Sequence, residues 1–453
     1  MHILKFLILI GWILQTLFCL AQEGLSLQPS SVGDSLISFN KHIKDWNILD
    51  FNNGSELIIQ RSKSHSIKEA GLKSYARFSS NAVNIPFALA VFKNDFIDDE
   101  KKREVANGLK SVNAFELVSS AELFYRFERD RFLFNSPAFI TFTLRTASIN
   151  EAKFTGDLFK VVFFGNAGFA GATADFSATK NLSYRYHQMR LGMQKKFAFL
   201  NHDWEAGIGL SVIAARSGSS LKIDRGTLFT EQYGSFIDAD YNFEYSVSDT
   251  SNNNLFTVNG VGGSADATLA YLPGSSSLRV LLFVNDFGFI NWSKRSTLYS
   301  ADSTLHYEGF EVNDLFNSTD TTLLPFNGDS LIHITGAHNN NIPFRTVLPV
   351  RFSLACIYSV SERWLITAAV SYCPYPDLMP LVTLQPQFSF SPSFKLATSL
   401  SYGGTDQFRT GIRLSGTFRN RIFFEAGSEN VSAFFLPKET TSASLFFGSS
   451  IAF

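Results

Sequence analysis

The sequence predicts an all-β fold, an antiparallel transmembrane β-barrel of the outer-membrane type with about 14 strands (12–16) and long external loops. Composition supports this, because the 453 residues are 45% hydrophobic and include 47 Phe, yet carry a net charge of only −1. The apolar residues are dispersed by alternation rather than gathered into blocks, as a membrane barrel requires. Short and long connections also alternate between the predicted strands.

The last strand, residues 441–453, shows the alternation most clearly. Ala443, Leu445, Phe447, Ile451 and Phe453 fall on one face, and Ser442, Ser444, Gly448, Ser450 and Ala452 fall on the other.

This ending resembles the C-terminal signal by which Gram-negative outer-membrane barrels are recognised for insertion. The resemblance lies in the spacing of Gly448, Ile451 and the terminal Phe453, whereas Phe446 stands where that signal usually has a polar residue. It implies the cell outer membrane as the location, and outer-membrane lipid and the barrel-assembly machinery as partners.

The N-terminus predicts a removed signal peptide over residues 1–21. Lys5 precedes an apolar run that is shorter than the roughly 20 residues of a spanning helix, and Cys19 and Ala21 are the small residues of a cleavage site. Residues 22–84 are expected to form a periplasmic segment or the start of the barrel. Residues 85–453 are expected to form the barrel itself.

Fourteen segments with alternating faces are predicted as strands. They are 85–92, 119–128, 138–146, 184–199, 204–216, 257–272, 278–292, 345–360, 364–372, 381–391, 394–403, 408–418, 421–428 and 441–453. Because barrels of this class have short periplasmic turns and longer external loops, a periplasmic C-terminus places 147–183, 217–256 and 293–344 outside the cell or in the lumen. Residues 98–109 predict a short helix, since acidic residues precede basic ones and a glycine follows.

Several charged residues alternate with the predicted lipid-facing positions and are expected to line the lumen. They are Arg351, Arg363, Lys395, Arg409, Arg413 and Glu425 near the C-terminus, and Glu122, Arg126, Arg145 and Glu205 earlier. Two interpretations stay open. The charges either pair with one another to hold a filled interior, or form a selectivity lining that favours anionic or amphipathic solutes.

Three stretches resemble an uncharacterised family of Bacteroidota outer-membrane barrels, known as a domain of unknown function. They are residues 284–292 (VNDFGFINW), residues 158–168 with Gly165 and Asn166, and residues 348–352 (LPVRF). The resemblance covers roughly residues 70–453 and implies fold and location rather than chemistry. More distantly, the barrel size is similar to that of fatty-acid transporters and type IX secretion shuttle barrels. Within 284–292, Phe287, Phe289 and Trp292 are expected at the headgroup level, and Gly288 permits a bend.

The sequence contains no motif that predicts an enzyme, a cofactor site or a metal site, and no basic stripe that predicts nucleic-acid binding. The expected function is therefore transport of small or amphipathic solutes across the outer membrane. The alternative is a non-transporting membrane anchor whose external loops bind a protein partner or serve in secretion or surface assembly.

Overall fold

The computed structural model describes residues 48–50, 59–61, 68–132, 136–200, 202–249, 251, 254, 257–272, 277–308, 337–374, 379–405, 407–419 and 421–453. The predicted signal peptide, residues 1–21, lies outside these residues, as does most of the predicted segment 22–84.

The described chain contains 21 strands. In chain order they are β1 (Ile48–Asp50), β2 (Ile59–Arg61), β3 (Lys68–Ser80), β4 (Val112–Phe132), β5 (Ser136–Thr155), β6 (Ala172–Asp175), β7 (Lys180–Phe199), β8 (His202–Thr230), β9 (Ile237–Val247), β10 (Gly260–Leu272), β11 (Leu278–Trp292), β12 (Thr297–Tyr307), β13 (His338–Asn341), β14 (Arg345–Val347), β15 (Arg351–Ser359), β16 (Trp364–Tyr372), β17 (Met379–Ser391), β18 (Phe394–Gly404), β19 (Gln407–Phe418), β20 (Ile422–Ser428) and β21 (Ser442–Ala452).

Fourteen of these strands close into an antiparallel barrel, which confirms the predicted fold class. The wall runs in the order β3, β4, β5, β7, β8, β10, β11, β15, β16, β17, β18, β19, β20, β21. The last strand closes the barrel by pairing with the first, from Ser442 opposite Ser79 to Ala452 opposite Glu69. The strand Lys68–Ser80 of the barrel thus lies within residues 22–84, which the sequence left as a periplasmic segment or the start of the barrel.

The two ends of the barrel differ. We call the end that carries Phe453 and the short connections the turn end, and the opposite end the loop end. The loop end carries the helices α1 (Ile85–Lys93), α2 (Asp99–Gly108), α3 (Gly156–Phe164) and α4 (Ser432–Phe435), and a 3₁₀ turn (Asn166–Phe169). Among the described residues, no helix is long and apolar enough to cross a bilayer.

Helix α1 corrects one predicted strand, residues 85–92. The side chain of Asn84 accepts a hydrogen bond from the Phe87 N–H, Pro86 lies in the first turn, and Asn94 ends the helix in a left-handed conformation. Because nearly every residue of this segment is apolar, its sequence does not distinguish a helix from a strand. Helix α2 agrees with the helix predicted over 98–109, and the Asp98 side chain caps it.

Inside and outside are separated by the strand alternation. On β7, Met189 and Leu191 are 59% and 53% exposed and face outward. Tyr184 and Tyr186 lie on the opposite face of the same strand and are each 1% exposed. At the loop end the interior is filled by an apolar group that we call the loop-end cluster: Tyr75, Val118, Ala147, Ile149, Leu182, Tyr184, Tyr186, Ile213, Ala215, Ile290, Trp292, Leu348 and Phe446. Each large side chain buried there contributes about 1.5–3 kcal/mol relative to exposure.

Beyond the barrel rim, an additional sheet projects at the loop end. β8 is 29 residues long, and its final part pairs with β9, which pairs with β12, which in turn pairs with β13. Parts of the predicted loops 217–256 and 293–344 are therefore strands. Residues 309–336 lie outside the described part of the chain.

Candidate functional site in the barrel lumen

A β-bulge interrupts the pairing of β10 with β11 in the middle of the wall. The register shifts between Ala265 and Ala267, and opposite them Asp286 adopts φ 53°. The Asp286 N–H donates to Oδ1 of Asp266 at 2.8 Å, which fixes the bulge from inside. Asp tolerates this left-handed conformation better than most residues. The bulge changes which residues of β11 face inward: Phe283 is buried before it and Ile290 is buried after it.

Gly288 lies two residues after the bulge, where β11 pairs with Ser264 of β10. A Cβ at this position would come within 2.1 Å of the Gly263 carbonyl oxygen and 2.6 Å of the Ser264 Cα. These are backbone atoms, so the contact cannot be relieved by a side-chain rotation. The position therefore requires glycine.

The aromatic residues of this segment are divided between the two faces. Phe287 and Phe289 are 65% and 40% exposed and point outward, as expected. The expectation for Trp292 is wrong, because this side chain is 2% exposed inside the barrel. It stacks on Phe344 with ring centroids 5.6 Å apart, and its Nε1 donates to the Thr346 hydroxyl at 3.0 Å. The bulge accounts for this position, since it changes the inward-facing register.

Five polar side chains converge on the bulge, and we call them the lumen charge cluster: Arg145, Gln188, Arg190, Asp266 and Asp286. Arg145 Nη1 donates to Asp286 Oδ2 at 2.9 Å, and Gln188 Nε2 donates to Asp286 Oδ1 at 3.1 Å. Arg190 Nε lies 2.8 Å from Asp266 Oδ2. Two carboxylates thus meet two guanidinium groups, and the pairs join β5 and β7 to β10 and β11 across intervening strands.

All four charged side chains of the cluster are buried, with exposed fractions between 4% and 13%. Buried ion pairs of this kind seldom stabilise a fold more than apolar residues of the same volume, whereas removing one partner is strongly destabilising. The cluster therefore holds the surrounding lumen side chains in one arrangement, although apolar side chains could fill the same space.

On the turn-end side of this cluster lies an internal space that we call the lumen pocket. It comprises about 710 Å³ of empty space, including the part that opens to solvent. Its lining combines charged Lys73, Glu122, Arg126, Arg190 and Asp266 with hydroxyl, amide and apolar groups, among them Thr141, Thr143, Gln194, Asn285, Phe124 and Met193. Lys73 Nζ and the Arg126 guanidinium lie 5.1 and 5.5 Å from the centre of the Phe124 ring. The pocket thus offers both signs of charge beside an aromatic surface.

Four of the six C-terminal residues that were predicted to line the lumen lie inside the barrel. Lys395, Arg409, Arg413 and Glu425 are at most 9% exposed and lie inside the barrel wall. Arg413 donates to Gln387 at 2.9 Å, and Arg409 lies 3.7 Å from Glu429.

The two remaining residues predicted to line the lumen are Arg351 and Arg363. Arg351 is half-buried and within electrostatic range of the buried Glu151. The prediction for Arg363 is wrong: it is exposed in the turn before β16, because that strand begins only at Trp364. Alternation identifies a face but not the residue at which a strand starts.

The residues of the C-terminal signal lie on both faces of β21. Ile451 and Phe453 are 48% and 58% exposed and point outward. Gly448 faces the interior, where a Cβ would come within 2.6 Å of Oε1 of Glu425. The glycine thus allows the Glu425 carboxylate to lie against the backbone, a packing role beside the predicted recognition role.

Three members of the charge cluster, Gln188, Arg190 and Asp266, were not identified from the sequence. The alternation on β7 places Gln188 and Arg190 opposite the apolar Met189 and Leu191, so their inward direction was visible. The side chains that they contact could not be predicted, because these contacts cross the lumen of the closed barrel. Within the described residues, no group of three or more His, Cys, Asp or Glu side chains is arranged to hold a metal ion.

Comparison with known proteins identifies a family and several similar folds. A model of a family of unknown function, DUF5723, matches residues 70–426, and no curated protein matches the chain. The P. putida toluene transporter TodX is similar at 9% identity, covering 86% of this chain and 90% of that chain, with a TM-score of 0.39. A Pseudomonas aeruginosa FadL homologue is similar at 9% identity, 84% and 89% coverage and a TM-score of 0.38.

The translocator domain of the autotransporter NalP from Neisseria meningitidis is similar at 8% identity, with 93% of this chain and 97% of that chain covered and a TM-score of 0.33. Similarity at these levels does not transfer a function to this chain.

Proposed function

We propose that this chain, which belongs to the DUF5723 family of unknown function, is an outer-membrane barrel that transports small amphipathic solutes through a gated lumen. The turn end faces the periplasm in this proposal, since short turns are typical of that side. The lumen pocket is the observation that supports transport most directly. It is a space inside the barrel whose lining combines charged, polar and aromatic side chains.

The chemistry of the pocket favours a solute with a charged group and an apolar part. Lys73 and Arg126 suit an anionic group, Glu122 and Asp266 suit a cationic group, and Phe124 offers an apolar surface between the two basic side chains. Arg126 lies 3.5 Å from Glu69 and Arg190 lies 2.8 Å from Asp266, so the pocket lining consists largely of paired charges. A purely apolar molecule would take water away from this lining without offering a polar group in return, whereas a zwitterionic or singly charged amphipathic molecule offers one.

The charges of the lumen also favour transport over a purely structural role. An anchor needs only a filled interior, and apolar residues fill it at least as stably as buried ion pairs do. This barrel instead buries ion pairs among its apolar side chains, from Arg77 with Glu116 at the loop end to Arg145 with Asp286 beside the pocket. Passage of a solute from the pocket to the loop end requires the lumen charge cluster and the loop-end cluster to move, so the proposed transport is gated.

The test is solute entry into liposomes that contain the refolded full chain. Swelling rates are measured with L-phenylalanine as an amphipathic zwitterion and arabinose as a neutral polar solute of similar size. We expect phenylalanine to enter several-fold faster than in protein-free liposomes and faster than arabinose. Lys73→Met should reduce the phenylalanine rate, whereas Lys222→Met, on the exposed part of β8, should not. Absence of phenylalanine entry from demonstrably folded protein would overturn transport.

A second function is supported by the sheet beyond the rim, formed by β8, β9, β12 and β13. It is built on the longest strand of the barrel and presents exposed charges, such as Arg225 between Asp240 and Asp302 at 2.9 and 2.8 Å. A membrane anchor would use such a surface to bind a protein partner. Truncation of this sheet should leave solute entry unchanged if transport is the function, and should abolish partner binding if anchoring is.

A further inference from the structure

The outward face of β3 and β5 is covered by helices at the loop end. Arg77 and Glu116 pair inside the barrel at 2.6 Å, so Phe78, next to Arg77, points outward. In the same way Glu151 is buried inside, so Phe154, three residues later, points outward. Both phenylalanines nevertheless pack into an apolar cluster with α1, α2 and α3. These helices therefore lie against the outer surface of the wall and not over the lumen.

Aromatic contacts attach the helices to this surface and to each other. Phe78 meets Phe92 of α1 edge-on with ring centroids 6.0 Å apart. Phe87 of α1 contacts Phe159 and Phe163 of α3 with centroids 5.5 and 5.0 Å apart. Helices α1 and α3 thus have one apolar face that is already buried against the barrel.

A second apolar surface, formed by these helices and by Phe96 in the connection after α1, is exposed. Phe96 is 87% exposed, Phe92 51% and Val162 64%. The whole exposed set, which we call the collar surface, is Leu89, Val91, Phe92 and Phe96 with Val162 and Phe164, and Phe434, Phe435 and Leu436 in and after α4. The connection from α4 to β21 adjoins α1 and α2, because the Ile85 N–H donates to the Thr440 carbonyl at 3.1 Å and Lys438 Nζ lies 3.7 Å from Glu104. A helix that is apolar all round is buried in protein or in lipid.

The position of the collar surface along the barrel identifies lipid as its occupant. Phe78 is ten residues along β3 from Lys68, which at 3.3 Å per residue and a tilt of about 45° is roughly 23 Å above the turn end. The apolar band of a barrel is about 25 Å tall. The collar surface therefore begins where the band ends, and it continues the outward row of Leu72, Leu123 and Leu144 on the same strands.

We propose that the collar surface inserts into the boundary between headgroups and acyl chains of the outer leaflet, so that α1, α3 and α4 form a membrane-seated collar on one side of the barrel. The charged helix α2 packs against the apolar cluster through Val105 and Ala106, and we place its charged side on the watery side of the collar. Apolar surface of this extent is rarely left in water. Interfacial helices bind membranes through just such a face.

The test is the depth of a nitroxide label in the refolded full chain, in which Cys19, Cys356 and Cys373 are first replaced by Ser. Phe96→Cys carries the label on the collar surface, and two matched sites serve as references: Phe287→Cys in the lipid-facing wall and Tyr233→Cys at an 89% exposed position in the turn between β8 and β9. Each is reconstituted in vesicles of phosphatidylcholine and phosphatidylglycerol. The collision rates of the label with oxygen and with a water-soluble nickel complex are then compared.

We expect the label at position 96 to collide with oxygen more than with the nickel complex, as at position 287, and at a shallower depth. Nickel accessibility equal to that at position 233 would show a surface in water and overturn the proposal. Low accessibility to both reagents would show a protein contact and overturn it too. This outcome is independent of solute entry, because none of the labelled residues lines the pocket.

Discussion

The substitution Asp286→Asn removes one charge from the centre of the lumen and changes little else. Asn has the same shape as Asp and adopts the left-handed conformation that Asp286 holds at φ 53°, so the bulge can remain. What is lost is the anionic partner of Arg145 at 2.9 Å. The substitution therefore measures how dry the lumen charge cluster is.

The expected loss of stability follows from burial. The side chains of Arg145 and Asp286 are 4% and 12% exposed, and removal of one partner from a buried pair costs about 3–5 kcal/mol. Glu122 lies opposite Arg145 in the pairing of β4 with β5 and remains a nearby negative charge. We therefore expect the lower end of that range, about 3 kcal/mol. A pair in open water would lose only about 0.2–1 kcal/mol.

The assay is urea unfolding of the refolded chain in lipid vesicles, with the free energy of unfolding compared between variants. Asp224→Asn is the matched control, because Asp224 pairs with Lys222 at 2.6 Å while both are about half exposed. A further variant, Arg145→Met with Asp286→Asn, should recover much of the lost stability, since Asn keeps the left-handed backbone and no guanidinium group is then left facing a lost carboxylate. If Asp286→Asn costs no more than the control, the lumen is filled with water and a charge-paired gate is refuted.

Three further results are expected. Gly288→Ala should lower the free energy of unfolding by about 1–3 kcal/mol or prevent refolding, since its Cβ would meet backbone at 2.1 Å, whereas Gly168→Ala, with nothing within 4 Å, should be neutral in the same assay. Deletion of Phe453 should reduce the amount of barrel in the outer-membrane fraction without preventing refolding in detergent. The pKa of His306 is raised chiefly by its hydrogen bond to Asp238. An NMR titration should therefore show that this contact stabilises the fold fully below a pH of about 6.5, and that the stabilisation is lost as the pH rises through the pKa of His306 in the folded chain. Asp238→Asn should lower that pKa.

Alternation predicted the C-terminal wall closely, because its outer face is apolar and its inner face polar. The predicted strands 394–403 and 408–418 correspond to Phe394–Gly404 and Gln407–Phe418. The count of 14 was correct although one member was not. The segment 85–92 is a helix, and Lys68–Ser80 supplies the missing strand.

Where both faces of a segment are apolar, the period of two carries no information about structure. This explains the error at α1, and it explains why the loop-end cluster was not foreseen: Tyr184 and Trp292 fill the lumen with residues that alternation assigns equally well to lipid. The charge cluster was not predicted for a different reason. Its partners belong to strands far apart in sequence, and only closure of the barrel brings Arg145 to Asp286.

The residues at the bulge combine three unfavourable choices in one place. Asp286 holds a left-handed backbone, Gly288 gives up a side chain in a strand, and four charges are buried beside them. Ion pairs are buried elsewhere in the lumen too, such as Arg77 with Glu116 at 2.6 Å, but those residues lie on regularly paired strands. A strained backbone beside buried charge is characteristic of elements that have a second arrangement of similar free energy. Opening of the lumen should therefore begin at the bulge, with separation of Arg145 from Asp286, and the loop-end cluster should yield only after that pair has parted.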